Sequence, residues 1–283
     1  MTTAPRQVTA TPAHEQTRSA WEAIAPGYDR FVTPTHMWLA NEALRRAGLL
    51  PGMRLLDVAS GSGALSLPAA RLGARVLSTD IAPAMLERLA ARAREERLDV
   101  ETRVMDGHAL DVEEDAFDVV ASQFGVMLFP DLPRAAREMA RVTRPGGRVL
   151  LVAYGEPAQV EFLSFFVCAI RDVVPGFTGL PMDPPPLPFQ VADPAKLRGI
   201  LAGTGLRQVA VETITERLEF GSGAEMWDWV VNSNPVAVAL VADLSSEQRA
   251  AVRRVLDGML HERAAGDGAA VLTNPINIGI GTK

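Results

Sequence analysis

The stretch LLDVASGSGALSLPAA, residues 55–70, decides the reading of this chain. An apolar run of strand length ends at Asp57-Val58, small residues fill Ala59 to Gly63, and a helix-compatible segment follows. Small side chains let backbone approach a ligand, and a helix start offers free N–H groups. A strand, a glycine-rich turn and a helix in that order leave a nicotinamide cofactor open as one reading. Three features argue for another. Ser66 stands where a G-x-G-x-x-G turn has its third glycine, Asp57 lies inside the motif, and Asp80 ends the next apolar run.

Outward from that turn, short apolar runs at 54–58, 75–79, 100–104, 117–122 and 147–154 alternate with helical segments at 64–72, 83–96 and 131–143. Short strands that are apolar throughout need helices on both faces, so the expected fold is α/β, doubly wound on a mostly parallel sheet. Residues 1–18 are polar and read as a flexible tail. Residues 19–50 form an N-terminal helical cap of two short helices, broken at Pro26-Gly27 and Pro34. The cofactor-sized core spans 51–155, and a lid insert follows the fifth strand over 156–205, where five prolines fall between 181 and 188. Residues 206–283 complete the same sheet with a strand at 209–220, a helix at 244–263 whose Ser245 and Gln248 fit a capping box, and a last strand at 269–281. Pro275 assigns that last strand to an edge or a bulge.

Composition excludes several function classes. Twenty-eight Lys and Arg against 34 Asp and Glu give a net charge of −6, which disfavours nucleic acid as a partner. Cys168, the single cysteine, permits no internal disulfide, and its place in the helical stripe 158–173 makes it an expected buried, inert thiol. No run of about 18 apolar residues suggests a membrane span, and no signal-peptide pattern opens the chain. A cytoplasmic location is the expectation, with no metal site.

Taken in order, the motifs resemble those of class I S-adenosylmethionine-dependent methyltransferases, and WEAIAPGYDRF at 21–31 brings the resemblance toward the ubiquinone/menaquinone C-methyltransferase-like small-molecule branch. That family's loop reads acid-x-Gly-x-Gly-x-Gly, and Ala59 here replaces its first glycine. The resemblance implies a seven-stranded sheet and S-adenosylmethionine as cofactor. Asp57 would hold the cofactor's amino end, with Ala59, Ser60, Gly61 and Gly63 admitting it closely, while Asp80 would accept from both ribose hydroxyls. Ile81 and Met85 would flank the adenine, and Asp106 in the Met105-Asp106-Gly107-His108-Ala109-Leu110 loop would accept from its amine. Gln123 and Phe124 would lie beside the methionyl part, and Tyr28 would close over the cofactor with Trp21 nearby. Val142-Thr143-Arg144-Pro145-Gly146-Gly147 matches the turn before the fifth strand.

For catalysis the sequence offers His36 as a general base and Tyr28 as a proton relay. Trp227, Trp229, Phe162, Phe165 and Phe166 are candidates for an apolar acceptor pocket or for plain core packing. The acceptor is expected to be a small, rather apolar molecule, methylated on oxygen, carbon or nitrogen, with secondary metabolism one setting for it; a homodimer stays open. Asp183-Pro184-Pro185 mimics the Asp-Pro-Pro of amino-methylating nucleic-acid enzymes but falls in the lid, away from the end of the fourth strand where that motif belongs. Two other readings stand beside this one: an NAD(P)-dependent oxidoreductase, and a protein of the methyltransferase fold that uses the cofactor without transferring a methyl.

Overall fold

The computed structural model describes residues 12–179, 185–265 and 268–283, so residues 1–11 of the expected tail, and Asp183 and Pro184 of the displaced motif, lie outside the described residues. Seven strands form one sheet in the order β3-β2-β1-β4-β5-β7-β6. They are β1 (Arg54–Val58), β2 (Arg75–Asp80), β3 (Val100–Val104), β4 (Phe117–Gln123), β5 (Thr143–Tyr154), β6 (Arg207–Phe220) and β7 (Ala270–Thr282). The first five pair in parallel, whereas β7 runs antiparallel to both β5 and β6. The central strands are buried nearly throughout, as parallel strands between helices must be, while edge strands β3 and β6 carry exposed Glu and Arg. Strand order reverses between β1 and β4. At such a switch point the neighbouring crossovers leave on opposite faces and a crevice opens beyond the strand ends.

Ten α-helices accompany the sheet among the described residues: α1 (Pro12–Gly27), α2 (Thr33–Arg46), α3 (Ser66–Arg71), α4 (Pro83–Glu96), α5 (Leu132–Val142), α6 (Glu161–Val173), α7 (Pro194–Ala202), α8 (Gly223–Ser233), α9 (Pro235–Leu240) and α10 (Ser246–Arg263). None is long and apolar enough to cross a membrane. Asn277 of β7 anchors the insert, its side chain donating to the Ala192 carbonyl (2.7 Å). α7 then packs Leu197 and Leu201 over Gly279, where any side chain would collide with them.

Four expectations are corrected. Residues 12–18, read as tail, belong to α1: polar residues on a solvated helix face show no apolar period, and the helix is held further along by Trp21, Ile24 and Ala25 packing on Met85. The break at Pro26-Gly27 is absent, since α1 continues into a π-helical segment at Tyr28–Val32 and then α2. Gly27 keeps helical angles (φ −73°, ψ −41°) and serves close approach, because Asn232 of α8 occupies the space a Cβ would need. Pro275 lies in a strand paired on both sides. Its carbonyl points toward the β5 side and accepts from Gly155 (2.7 Å), one residue past the end of β5, so the missing N–H faces a place where no ladder acceptor is needed. Cys168 is exposed: α6 buries Phe162, Phe166, Ala169 and Ile170, and Cys168 points away from that face.

The capping box forms as the sequence expects, with Gln248 N donating to Ser245 Oγ (3.2 Å) and Ser245 N to Gln248 Oε1 (2.9 Å). Because α10 braces both α6 and α8, Ser245→Ala is expected to lower the unfolding free energy by about 1 kcal/mol, read from urea unfolding; an unchanged midpoint would remove the cap from the account.

Candidate functional site

A cavity of about 490 Å³ opens at the C-terminal ends of β1, β2 and β4, within the size range of small-molecule and cofactor sites. Its floor is the loop after β1. Ala59 (φ +57°), Gly61 (φ +53°) and Gly63 (φ +99°) all adopt left-handed backbone there, which turns the chain sharply enough to bare the loop's N–H groups.

Two buried carboxylates hold that loop. Asp80, at the end of β2, accepts from Gly61 N through Oδ2 (2.9 Å) and from Ala82 N through Oδ1 (2.9 Å). Burial raises its pKa, and the N–H groups of Ala82, Gly61 and Ile81 partly offset this. Asp57 is 1% exposed and accepts from Ser66 Oγ (2.6 Å), which in turn meets Ser78 Oγ (2.7 Å). Burial pushes Asp57 up to about 7, the Ser66 hydrogen bond opposes the rise, and the charge of Asp80 adds to it. Ser66, noted only for the glycine it displaces, thus supports the acid of the motif.

Beyond β3, Asp106 accepts from His108 N (2.9 Å) and pairs with the His108 ring (2.8 Å), and its second oxygen lies 3.6 Å from His14 of α1. Burial acts to raise its pKa, but the His108 bonds and the charges of His108 and His14 carry it below the ordinary value. His14, Asp106 and His108 bring three candidate metal-ligand atoms within 4.8 Å of one another, a group the sequence reading could not anticipate with His14 assigned to a tail. They join α1 to the loop after β3, and the His108 ring rests against Phe129 (4.6 Å).

The remaining residues singled out for a cofactor divide clearly. Trp21, Tyr28, Asp57, Ala59, Ser60, Gly61, Asp80, Ile81, Met85, Asp106, Gly107, Gln123 and Phe124 line this cavity. Gly63 does not: it packs behind the loop, where Leu89 and Leu67 leave no room for a side chain. Tyr28 sits in the π-helical segment, whose one-residue excess per turn brings its ring against Gly61 and edge-on to Trp21 (6.0 Å). Burial and the charges of Asp80 and Asp57 hold its phenol protonated far above the usual tyrosine range.

A second, smaller cavity of about 90 Å³ adjoins the first and shares the walls Tyr28, Phe124 and Leu128. Phe162 and Phe166 of α6, Tyr154 of β5, and Pro188 and Phe189 of the insert make it apolar and aromatic, with Tyr154 stacked on Phe124 (4.5 Å, 19°). Of the other aromatic candidates, Trp229 stands edge-on behind His36 (5.8 Å), Trp227 packs on Phe166, and Phe165 packs on the core.

His36 reaches this second cavity. Its ring is 3% exposed, lies 4.8 Å from Phe124, and has no hydrogen-bond partner on either nitrogen. Burial lowers its pKa to about 3, so the imidazole is neutral at physiological pH. Across from it, 3.6 Å from Nε2, stands Glu216 of β6, 1% exposed and accepting from Asn274 of β7 (3.0 Å). Sequence reading missed Glu216, because alternation in an edge strand looks the same whether its inward acid meets solvent or a site.

Comparison with known proteins follows from this geometry. Residues 56–151 match a family model described as a methyltransferase domain. An uncharacterized protein of Mycobacterium tuberculosis is 34% identical over 221 residues, which are 77% of this chain and 77% of that protein. The ubiquinone/menaquinone biosynthesis C-methyltransferase of Bdellovibrio bacteriovorus is 29% identical over 177 residues, 60% of this chain and 74% of that one. Among solved structures, phosphoethanolamine N-methyltransferase 2 of Haemonchus contortus with S-adenosyl-L-methionine aligns at a TM-score of 0.58 and 18% identity over 99% of this chain and 61% of that chain, a likeness of fold.

Ala59 is the loop's one departure toward a side chain at a left-handed position. A Cβ in that conformation costs about 1–2 kcal/mol, so Ala59→Gly is expected to raise the unfolding free energy by about 1 kcal/mol after the added chain entropy of glycine is subtracted. Chemical denaturation checks it; a less stable variant would show that the methyl contact with the Gly125 turn matters more than the strain.

Proposed function

Because the chain belongs to the class I S-adenosylmethionine-dependent methyltransferases, we propose that it moves a methyl group from S-adenosylmethionine to a small, rather apolar acceptor held in the aromatic chamber. The observation that carries this reading is the pair of adjoining cavities, one rimmed by acids at three strand ends and one aromatic, meeting at Tyr28 and Phe124.

The residues of the larger cavity fit the cofactor. Asp80 spends one lone pair of each oxygen on backbone N–H groups and retains others for the two ribose hydroxyls. Asp106 offers Oδ2, 3.6 Å from His14, to the adenine amine, with Ile81 and Met85 flanking the ring. Asp57 faces the amino end, and Gln123 and Phe124 lie along the methionyl part. Once bound, the cofactor supplies an electrophilic methyl on a sulfonium. The chain's part is to align the acceptor with that methyl, exclude water, and remove a proton where the acceptor carries one. Trp21 and Tyr28 close the cavity, and Tyr28, held protonated, serves as a hydrogen-bond donor and relay. His36, held neutral, serves as the base. Among the described residues no Lys or Arg lines the aromatic chamber, which favours an uncharged small molecule over a nucleic acid or phosphate acceptor.

Calorimetric titration with S-adenosylhomocysteine, NADH and NADPH tests the cofactor. Binding of the first alone is expected, and Asp80→Ala should weaken it tenfold to a hundredfold, the worth of charge-assisted hydrogen bonds at about 1.5–3 kcal/mol. Nicotinamide binding instead would overturn the reading.

Asp57 adds a pH dependence. In the free protein its pKa is raised to about 7; the cofactor's ammonium favours the ionised form, so binding below neutrality must expel a proton. Affinity is therefore expected to rise with pH, by about tenfold between pH 6 and 8 for one linked proton. Asp57→Asn should reduce that slope, and an equal slope in the variant would assign the proton elsewhere.

A further inference from the structure

The buried pair of His36 and Glu216 has no structural work that apolar side chains could not do better. An uncompensated charge or unpaired polar atom inside a core is costly, and four atoms here stand without a hydrogen bond: both ring nitrogens of His36, Glu216 Oε1, and the neighbouring Gln123 Oε1. They lie around the His36 side chain, which lines the aromatic chamber, while Gln123 lines the larger cavity next to it and Glu216 stands 3.6 Å from the ring. Glu216 is fixed from behind, since Asn274 Nδ2 donates to its other oxygen (3.0 Å) while Asn274 itself is wholly buried. At 3.6 Å the carboxylate and Nε2 are within ion-pair range and short of a hydrogen bond, a spacing that tightens when the ring takes up a proton. Nε2 faces the carboxylate, which leaves Nδ1 as the nitrogen with no hydrogen-bond partner among the described residues.

We propose that Glu216, held by Asn274, is a positioning residue that orients His36 and balances the charge it gains on taking a proton from a weakly acidic hydroxyl, phenolic or enolic, of a compact aromatic acceptor. The inference rests on the methyltransferase reading above and narrows its acceptor. A neutral imidazole backed by a carboxylate is arranged to accept a proton, which an acceptor must therefore bring. An ammonium acceptor would shed its hydration among aromatic walls and, among the described residues, would find as its nearest carboxylate only Glu216, which stands behind His36, whereas a neutral hydroxyl on a ring loses little on entry. In the step, the hydroxyl proton passes to His36 as the oxygen–methyl bond forms and the methyl–sulfur bond breaks, the sulfonium leaving as a neutral thioether. Among the described residues, the ionisable groups around His36 are Glu216 from β6, Tyr154 from β5 and Tyr28 from the π-helical segment. Burial keeps both phenols protonated, so Glu216 is the group that can counter the new charge. Glu216 is itself pushed up to about 7 by burial, against the Asn274 bond, so the proton gained by His36 can be shared across the pair.

The test uses 3-nitrophenol, a weaker acid whose ionised form absorbs at the edge of the visible, added at pH 7.5, where Glu216 is mostly ionised, to full-length protein already loaded with S-adenosylhomocysteine. Wild type is expected to bind it and to show the phenolate band on the bound probe. Glu216→Gln, which keeps the shape and the Asn274 contact, should bind the probe with a phenolate band at least tenfold weaker, and His36→Gln should show none. Nitrogen-15 spectra of the imidazoles give a second readout that needs no acceptor. His36, identified among the four histidines by its loss in His36→Gln, should carry its proton on Nε2 in wild type, move it to Nδ1 in Glu216→Gln, where the amide oxygen keeps the Asn274 bond and the NH2 group faces Nε2, and lose the Nε2 preference in Asn274→Ala as the carboxylate is released. A phenolate band that survives Glu216→Gln undiminished, an absent band or unbound probe in wild type, or a His36 tautomer indifferent to Asn274→Ala overturns the proposal. Homocysteine-product binding in the same samples separates the two levels: if it holds while the band fails, only the acceptor inference falls, and if wild type does not bind it, the methyltransferase reading falls first.

Discussion

A buried carboxylate can stay charged only where donors meet it, and the Asp80 side chain meets that condition by drawing in the backbone of two different segments. Gly61 N comes from the loop after β1 and Ala82 N from the start of α4, so one side chain ties together the two elements that frame the large cavity. The left-handed turn at Ala59, Gly61 and Gly63 follows from this tie, since the loop must double back to present an N–H toward β2. Asp57 repeats the arrangement one strand away with the hydroxyl and backbone N–H of Ser66, whose hydroxyl also meets that of Ser78. Lone pairs left over on both acids look into the cavity, and the ligand chemistry of the site is the remainder of a folding requirement.

The molecule divides its labour along the sheet. Parallel strands β1, β2 and β3 end at or near acids, β4 ends in Gln123, and together with the loops that follow them they form the larger cavity. The antiparallel pair β6–β7 at the other side contributes Glu216 and Asn274, buried polar residues in a layer otherwise filled with Phe, Leu and Ile. α2 crosses between the two halves and brings His36 to their boundary, where Gln123 at the end of β4 donates to the His36 carbonyl (3.1 Å). The π-helical segment just before α2 sets the rotation of both helices, so Tyr28 stands between the two cavities while His36 faces the smaller one.

Much of the core was legible because local chemistry and tertiary role coincide there. β1 and β3 begin and end where short apolar or alternating runs say they should, α4 spans the 83–96 read for it, and the Ser245 cap is a matter of four consecutive residues. The N-terminal region was not legible in the same way. A helix with one solvated face and a helix that continues through Pro26-Gly27 are both decided by what they pack on, here Met85 and Asn232, residues far off in the chain.

By itself the sequence determined the parallel α/β core, the glycine-rich turn and the acids at or just beyond the ends of β1, β2 and β3, because each depends on backbone preferences and hydrophobic period over a few neighbouring residues. Only the tertiary structure decided that β7 inserts between β5 and β6, that Cys168 faces outward, that Gly63 packs away from the cavity and His14 reaches it, and that Glu216 meets His36 across 180 residues of chain. Those outcomes turn on which surfaces are covered once every element is in place, a long-range condition that no local pattern of charge or hydrophobicity encodes.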